Sequence, residues 1–202
     1  MIRDNVLAVS GLLVQQQGGS SVYPYQPEGL WDVLTTKHWA YRYLQEDGDG
    51  LYRRSIYTIW KRQSPPPYMQ IFDLDDRGDC EVNRRMSSTP LQALNLLNDP
   101  QFVEASRVLA ERLLKTETEQ SKRLEKLFRL LTGRKPDHTE RQMLADFYQD
   151  ELKHFTEQEE EALAYMNNGA QDWDKSLKTN EIAALGVVAN SIMNTTESFT
   201  KK

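Results

Sequence analysis

Apolar residues recur at spacings of three and four along much of the chain, which is the period of one face of an α-helix. The first such stripe consists of Ile2, Val6, Val9 and Leu13, and it stops before Gly18-Gly19. A second one, from Leu51 to Arg62, places Leu51, Ile56, Ile59 and Trp60 on one face. Both patterns predict a helix, and a short helix over 28–34 is predicted between them.

The strongest helical signals follow residue 88. Thr89 is suited to cap a helix that begins at Pro90, and Asp99-Pro100 ends that helix and opens the next. Gly133 is placed to close a helix built on leucines 124–131, and a further helix is predicted from Thr139 to about residue 152. Within the helix that starts at Pro90, the leucines at 91, 94 and 97 are predicted to be core.

Two more helices complete the pattern. Thr156 and Glu159 have the spacing of a capping box, and a last apolar stripe predicts a helix from Asn180 to Phe199. Seven or eight helices indicate a mainly α fold, an irregular helical bundle in one domain over 1–202. Because a helix is already under way at residue 2, we expect this domain to be the C-terminal part of a longer chain.

Residues 63–88 interrupt the helical pattern. Three consecutive prolines, Pro65 to Pro67, fix φ and remove backbone donors, which favours an extended passage. We predict that this segment is mostly irregular, with one short strand at Met69 to Phe72.

Composition narrows the classes of function. With 25 basic and 30 acidic residues, the net charge of -5 provides no overall positive field, which disfavours nucleic acid as a partner. Apolar runs fall short of the ~20 residues that a membrane span needs. Cys80 is the only cysteine, so the chain has no CxxCH haem attachment, and the histidines lack metal-ligand spacing. We therefore expect neither a bound metal nor a cofactor in this chain.

Arginines and aromatic residues alternate from 53 to 85, and this is the candidate site. Internal pairing of these arginines with Asp73, Asp75, Asp76 and Asp79, which fixes the loop, is the favoured interpretation. The alternative is a cleft for an anionic polysaccharide, because guanidinium groups beside aromatic rings bind carboxylate or sulfate groups. A calcium loop is disfavoured because arginines occupy two of its ligand positions, and a lone cysteine is more often buried than nucleophilic. The candidate ligand-binding residues are Arg53, Arg54, Trp60, Arg62, Asp73, Arg77, Cys80, Arg84 and Arg85.

The order RRS, WKR, PPP, FD, C, RR, TPLQAL and LLNDP, from Arg53 to Pro100, resembles the C-terminal domain of large exported planctomycete-type proteins. AVSGLL near the start, LTGRKP at 131–136 and VVANSIMNTTESF at 187–199 extend the similarity. Proteins of this kind commonly carry a cytochrome c module earlier in the chain.

The resemblance implies a helical scaffold or interaction module in a periplasmic or exported protein. Its partners would be the upstream domains, and any haem would lie on those upstream modules. The alternative is a portion of an enzyme or binding protein that acts on anionic polysaccharide through residues 53–85. Whether the chain is an enzyme stays open.

Overall fold

The computed structural model describes residues 2–32, 43–61, 64–75, 82–83 and 87–200. The chain divides into two compact units, one formed by Met1–Leu13 with Leu96–Lys202 and the other by Val14–Asn95. Two compact units can belong to one domain or to two, so the prediction of one domain over 1–202 stays a prediction.

The described residues contain nine α-helices, two 3-10 helices and no β-strand longer than an isolated bridge. The mainly α prediction is thereby confirmed. The helices are α1 (Ile2–Ser10), α2 (Pro67–Ile71), α3 (Pro90–Asn98), α4 (Pro100–Thr116), α5 (Gln120–Thr132), α6 (His138–Glu157), α7 (Glu159–Met166), α8 (Thr179–Met193) and α9 (Thr196–Phe199), and the 3-10 helices are Gly48–Tyr52 and Ser55–Tyr57. None of these helices is long and apolar enough to cross a membrane.

Helix α8 is the centre of the first unit. Ten of its residues are buried: Ile182, Ala183, Ala184, Leu185, Gly186, Val188, Ala189, Asn190, Ile192 and Met193. A helix that is apolar on every side needs neighbours on every side, and α8 contacts α4, α5, α6, α7 and α9. The small residues among the ten let these helices approach its backbone closely.

Several helix ends agree with the sequence. Asp99 accepts a hydrogen bond from the Gln101 backbone nitrogen (2.9 Å) in front of Pro100, and Gly133 closes α5 in the left-handed conformation at φ 80°. Helix α6 starts at His138, one residue earlier than predicted, because Asp137 and Glu140 form a reciprocal capping box.

Two predictions in this unit are wrong. Thr156 lies inside α6, where its hydroxyl donates to the Leu152 carbonyl, so it does not cap α7. The predicted helix from Asn180 to Phe199 is two helices, α8 and α9. The Thr195 hydroxyl donates to the Ile192 carbonyl and the Ser198 hydroxyl to the Met193 carbonyl, and such local bonds offer the backbone an alternative to a continuous helix.

In the second unit, the predicted helix from Leu51 to Arg62 is wrong over its described part. Part of its backbone bonds the segment 14–22: Tyr52 and Tyr57 accept from the nitrogens of Val14 (3.0 Å) and Val22 (2.8 Å). The result is two short 3-10 helices followed by residues without regular structure. Of the helix predicted over 28–34, residues 28–31 form a turn and Asp32 has the 3-10 conformation, whereas residues 33 and 34 lie outside the described residues.

The segment 63–88 also differs from the prediction in its described part. Residues 67–71 form α2 and not a strand, because Pro67 occupies the first helical position, where its fixed φ favours a helix. In α3 the predicted core leucines are exposed, with 56%, 56% and 40% of Leu91, Leu94 and Leu97 accessible, whereas Gln92 and Leu96 are buried. The buried face of α3 thus lies on a different side of the helix.

Arg134 ties the turn after α5 to two carboxylates. Its guanidinium donates to both oxygens of Glu140 (Nη1, 2.7 Å; Nη2, 2.5 Å) and both oxygens of Glu197 (Nε and Nη2, 2.8 Å each). These bonds, with the Asp137 backbone nitrogen, lower the pKa of Glu140 to about 2. The three residues join the starts of α6 and α9 to the end of α5.

This arrangement predicts how stability depends on pH. The folded pKa of Glu140 lies below the ordinary value of 4.5, so its contribution is present above pH 4.5 and is lost as the pH falls towards 2. Glu140→Gln keeps the capping geometry and removes the charge. In chemical unfolding, the difference between the parent and this variant is expected to shrink between pH 6 and pH 2. A difference that is constant across that range would contradict the assignment.

Candidate functional site

Arg53, the first candidate residue, is buried and is used by its own unit. Only 5% of it is exposed, and its guanidinium donates to the carbonyls of Ser20 (3.1 Å), Gln16 (3.3 Å) and Gly18. Its Cζ lies 4.0 Å from the centre of the Tyr57 ring, a cation–π contact. Arg53 therefore fixes the loop 16–20 through its carbonyl oxygens.

The structure describes only some of the other candidate residues. Arg54 is exposed and Trp60 is half-buried in the same unit. Arg62, Arg77, Cys80, Arg84 and Arg85 lie outside the described residues, as do Asp76 and Asp79. Whether the arginine-rich segment forms one cleft stays a prediction.

The Asp73 side chain connects residue 73 to residue 87. It has a φ of 54°, in the left-handed region that aspartate tolerates better than most residues. Its Oδ2 accepts from the Ser87 backbone nitrogen (2.7 Å) and hydroxyl (2.6 Å). Gln92 donates to the same hydroxyl (2.9 Å) and to the Ile71 carbonyl (2.8 Å). The four residues form a clasp that brings residue 73 beside residue 87.

Metal-binding geometry is not found in the described part of the chain. Its histidines, aspartates and glutamates form no group of three or more that could hold an ion. Asp73, the first carboxylate of the predicted turn, is directed to Ser87.

The first unit contains a buried charged network that the sequence reasoning missed. Glu104, Arg107 and Glu111 lie on one face of α4 and are 0%, 0% and 8% exposed. Arg107 bonds Glu111 (2.7 Å) and donates to the Gln171 carbonyl (2.6 Å), while Glu104 accepts from the Gln171 nitrogen (2.7 Å). Glu111 also accepts from the nitrogen of Asp174 (3.1 Å). These side chains bind backbone groups of the loop between α7 and α8 and hold that loop against α4.

Gly169 is required at the start of that loop. Its φ is 86°, and a Cβ there would collide with the Glu104 carboxylate. At the loop's other end Lys115 pairs with Asp174 (2.7 Å), which lowers the pKa of Asp174 and raises that of Lys115. Contacts from α4 thus hold the loop between α7 and α8 at both of its ends.

A cavity of about 340 Å³ opens in the same unit, among the ends of α3 and α7 and the sides of α4 and α8. Its lining consists of Leu97, Asn98, Val103, Tyr165, Asn168, Val187, Asn190 and Ser191. The Asn190 amide nitrogen donates to the Leu97 carbonyl (3.0 Å). LLNDP and VVANSIM, two of the motifs that carry the resemblance, meet at this bond.

Tyr165 forms one wall of the cavity. The Ser106 hydroxyl donates its proton to the Val103 carbonyl (2.7 Å), so the Tyr165 hydroxyl donates to Ser106 (2.9 Å). Burial raises the pKa of Tyr165 to about 12. Gly186 leaves room for the ring, because a Cβ there would lie 2.6 Å from the Tyr165 hydroxyl oxygen. Tyr165 is a fixed, protonated group.

Part of this arrangement had a signal in the sequence. Asn190 interrupts an otherwise apolar stretch, and Glu104, Arg107 and Glu111 recur at spacings of three and four like the apolar residues around them. Such charged residues are usually placed on a solvated face. No local pattern indicates that they bind a loop some 60 residues away.

Comparison with known proteins identifies a family for the chain. The family model described as PSD1: Protein of unknown function (DUF1553) matches residues 1–148. Neither the curated proteins nor the solved structures contain a match to the chain.

The charged network predicts a large loss of stability on removal of its cation. Arg107→Met leaves Glu111 buried without the cation that it pairs with, which costs about 3–5 kcal/mol in the free energy of unfolding. Lys115→Met removes a partly exposed ion pair to the same loop and serves as the matched control, with little change expected. Chemical unfolding of both variants measures the difference. Equal stabilities for the two would contradict the role given to Arg107.

Proposed function

The chain belongs to the PSD1 family, proteins of unknown function (DUF1553), and we propose that it is a helical scaffold or interaction module of an exported multi-domain protein. The observation that carries this proposal is the use of its buried charges. Arg53, Glu104, Arg107 and Glu111 all bond the protein's own backbone. Groups engaged in this way hold loops in place and are not presented to a substrate.

The wider setting is part of the same proposal. The motifs between Arg53 and Pro100 resemble those of planctomycete-type proteins with an upstream cytochrome c module, which supports a periplasmic or exported location. In such an arrangement the haem belongs to the upstream module, and this chain provides a surface on which that module docks. The chain itself then carries no cofactor.

This proposal predicts association without catalysis. The chain is mixed with the cytochrome c module that precedes it in the full-length protein, and the complex is measured by analytical ultracentrifugation. We expect a 1:1 complex whose haem absorption sediments with the chain, while the chain alone has no haem band. A cytochrome c module from an unrelated protein is the control. Lack of association with the proper module, or turnover of a small substrate by the chain alone, would remove the scaffold role.

The second candidate is recognition of anionic polysaccharide through residues 53–85. It is favoured by the exposure of Arg54, which lies next to the buried Arg53 at the start of the aromatic-rich stretch. In this candidate Arg53 supports the loop and Arg54 meets the ligand together with the arginines at 62, 77, 84 and 85.

A binding measurement separates the two candidates. Heparin and polygalacturonate are titrated into the parent chain, Arg54→Ala, and the double variant Arg84→Ala/Arg85→Ala. A glycan cleft predicts at least a tenfold loss of affinity in both variants, because each removes charge-assisted hydrogen bonds. Arg112→Ala, in the other unit, removes the same charge and controls for nonspecific attraction. Equal losses in all three variants, or no binding by the parent, rule out the cleft.

A further inference from the structure

The cavity beside Asn190 lies in the first unit, whereas the arginine-rich segment belongs to the second. Its volume of about 340 Å³ is at the lower end of the ~300–1,000 Å³ typical of small-molecule sites. A space of this size suits a molecule of roughly one sugar ring.

Asn190 provides an unused acceptor at this cavity. The residue is 6% exposed, and its orientation is set by the bond from Nδ2 to the Leu97 carbonyl. Its Oδ1 has no hydrogen-bond partner in the part of the chain that the structure describes. A buried acceptor without a partner is unfavourable, and a donor that reaches it relieves this cost.

Two further polar groups share the lining. The Asn168 amide nitrogen is engaged by the carbonyls of Ala164 (3.1 Å) and Tyr165 (3.3 Å), which leaves its Oδ1 as the acceptor of that side chain. Ser191 is half-buried and presents a hydroxyl that can donate or accept. These two amide oxygens and one hydroxyl favour a ligand that has several hydrogen-bond donors.

Among the residues that the structure describes, the lining contains no Asp, Glu, Lys or Arg. An ionised ligand that moves from water into this cavity meets no opposite charge in these side chains, and the loss of its hydration is unfavourable. Leu97, Val103 and Val187 provide apolar contact for carbon atoms between the ligand's polar groups. The chemistry matches an uncharged molecule with several hydroxyl groups on a carbon ring.

We propose that this cavity binds a small neutral polyhydroxyl molecule of monosaccharide size. Its hydroxyl groups donate to Asn168 Oδ1 and exchange hydrogen bonds with Ser191. Asn190 Oδ1 exposes less than 1 Å², so a hydroxyl reaches it as the cavity wall adjusts on binding. This site is independent of the scaffold role and of the candidate glycan cleft.

The test is an NMR titration of the full chain with glucose, N-acetylglucosamine and myo-inositol, each up to about 0.1 M, a hundredfold above a Kd of 1 mM. We expect at least one of them to produce saturable shifts of the Val187, Asn190 and Ser191 amides. Glucuronate, which has the ring of glucose and a carboxylate, is expected to bind at least tenfold more weakly than glucose.

Variants assign the site to these side chains. Asn168→Ala and Ser191→Ala remove partly exposed groups, and each is expected to weaken binding about fivefold, the effect of one hydrogen bond. Asn167→Ala, the adjacent exposed asparagine outside the lining, is the matched control and is expected to bind like the parent. Absence of shifts with all three neutral probes, glucuronate binding as tightly as glucose, or unchanged affinity in both lining variants would overturn the proposal.

Discussion

Burial of α8 is the constraint on which the first unit depends. Ten of the 15 residues of this helix are buried, which is stable only if other helices cover most of its circumference, and α4, α5, α6, α7 and α9 do so. Ala183, Ala184, Gly186 and Ala189 set how closely they approach. Gly186 leaves room for the Tyr165 ring, whose hydroxyl bonds Ser106 on α4.

Polar groups inside this unit follow from the same packing. Because α4 packs against both α1 and α8, one part of its remaining face is covered by the loop between α7 and α8. A loop buried in this way needs partners for its backbone groups, and Glu104, Arg107 and Glu111 provide them. Buried charges that meet such a need are structural, which is why they support a scaffold role more than an active site.

Local signals in the sequence predicted those parts of the fold that local interactions decide. The start of α4 at Asp99-Pro100 and the end of α5 at Gly133 each depend on residues within one helical turn. The Asp137–Glu140 capping box is equally local, and it starts α6 one residue before the predicted start at Thr139.

Features that depend on distant partners were not predictable in this way. The stretch after Leu51 has helical spacing, yet its backbone bonds residues 14–22, and Arg53 is fixed by three carbonyls of that same stretch. Leu91 and Leu94 have the spacing of a buried stripe, but Gln92 takes the buried position because it closes the clasp at Ser87 and Ile71. Periodicity gives the angle between side chains on a helix and not the side that the rest of the protein covers. The candidate site shares this limit, because Arg53 bonds carbonyls of residues 16–20 and Asp73 bonds Ser87, all distant along the chain.

The central role of α8 is tested most directly by native-state hydrogen exchange of its backbone amides. If every other helix of the unit depends on α8, the amides from Leu185 to Ala189 exchange only when the unit unfolds globally, so their free energy of opening equals that of chemical unfolding. Amides in α9, at the edge of the unit, exchange at lower free energy. Exchange of the α8 amides that is as fast as that of α9 would contradict this account.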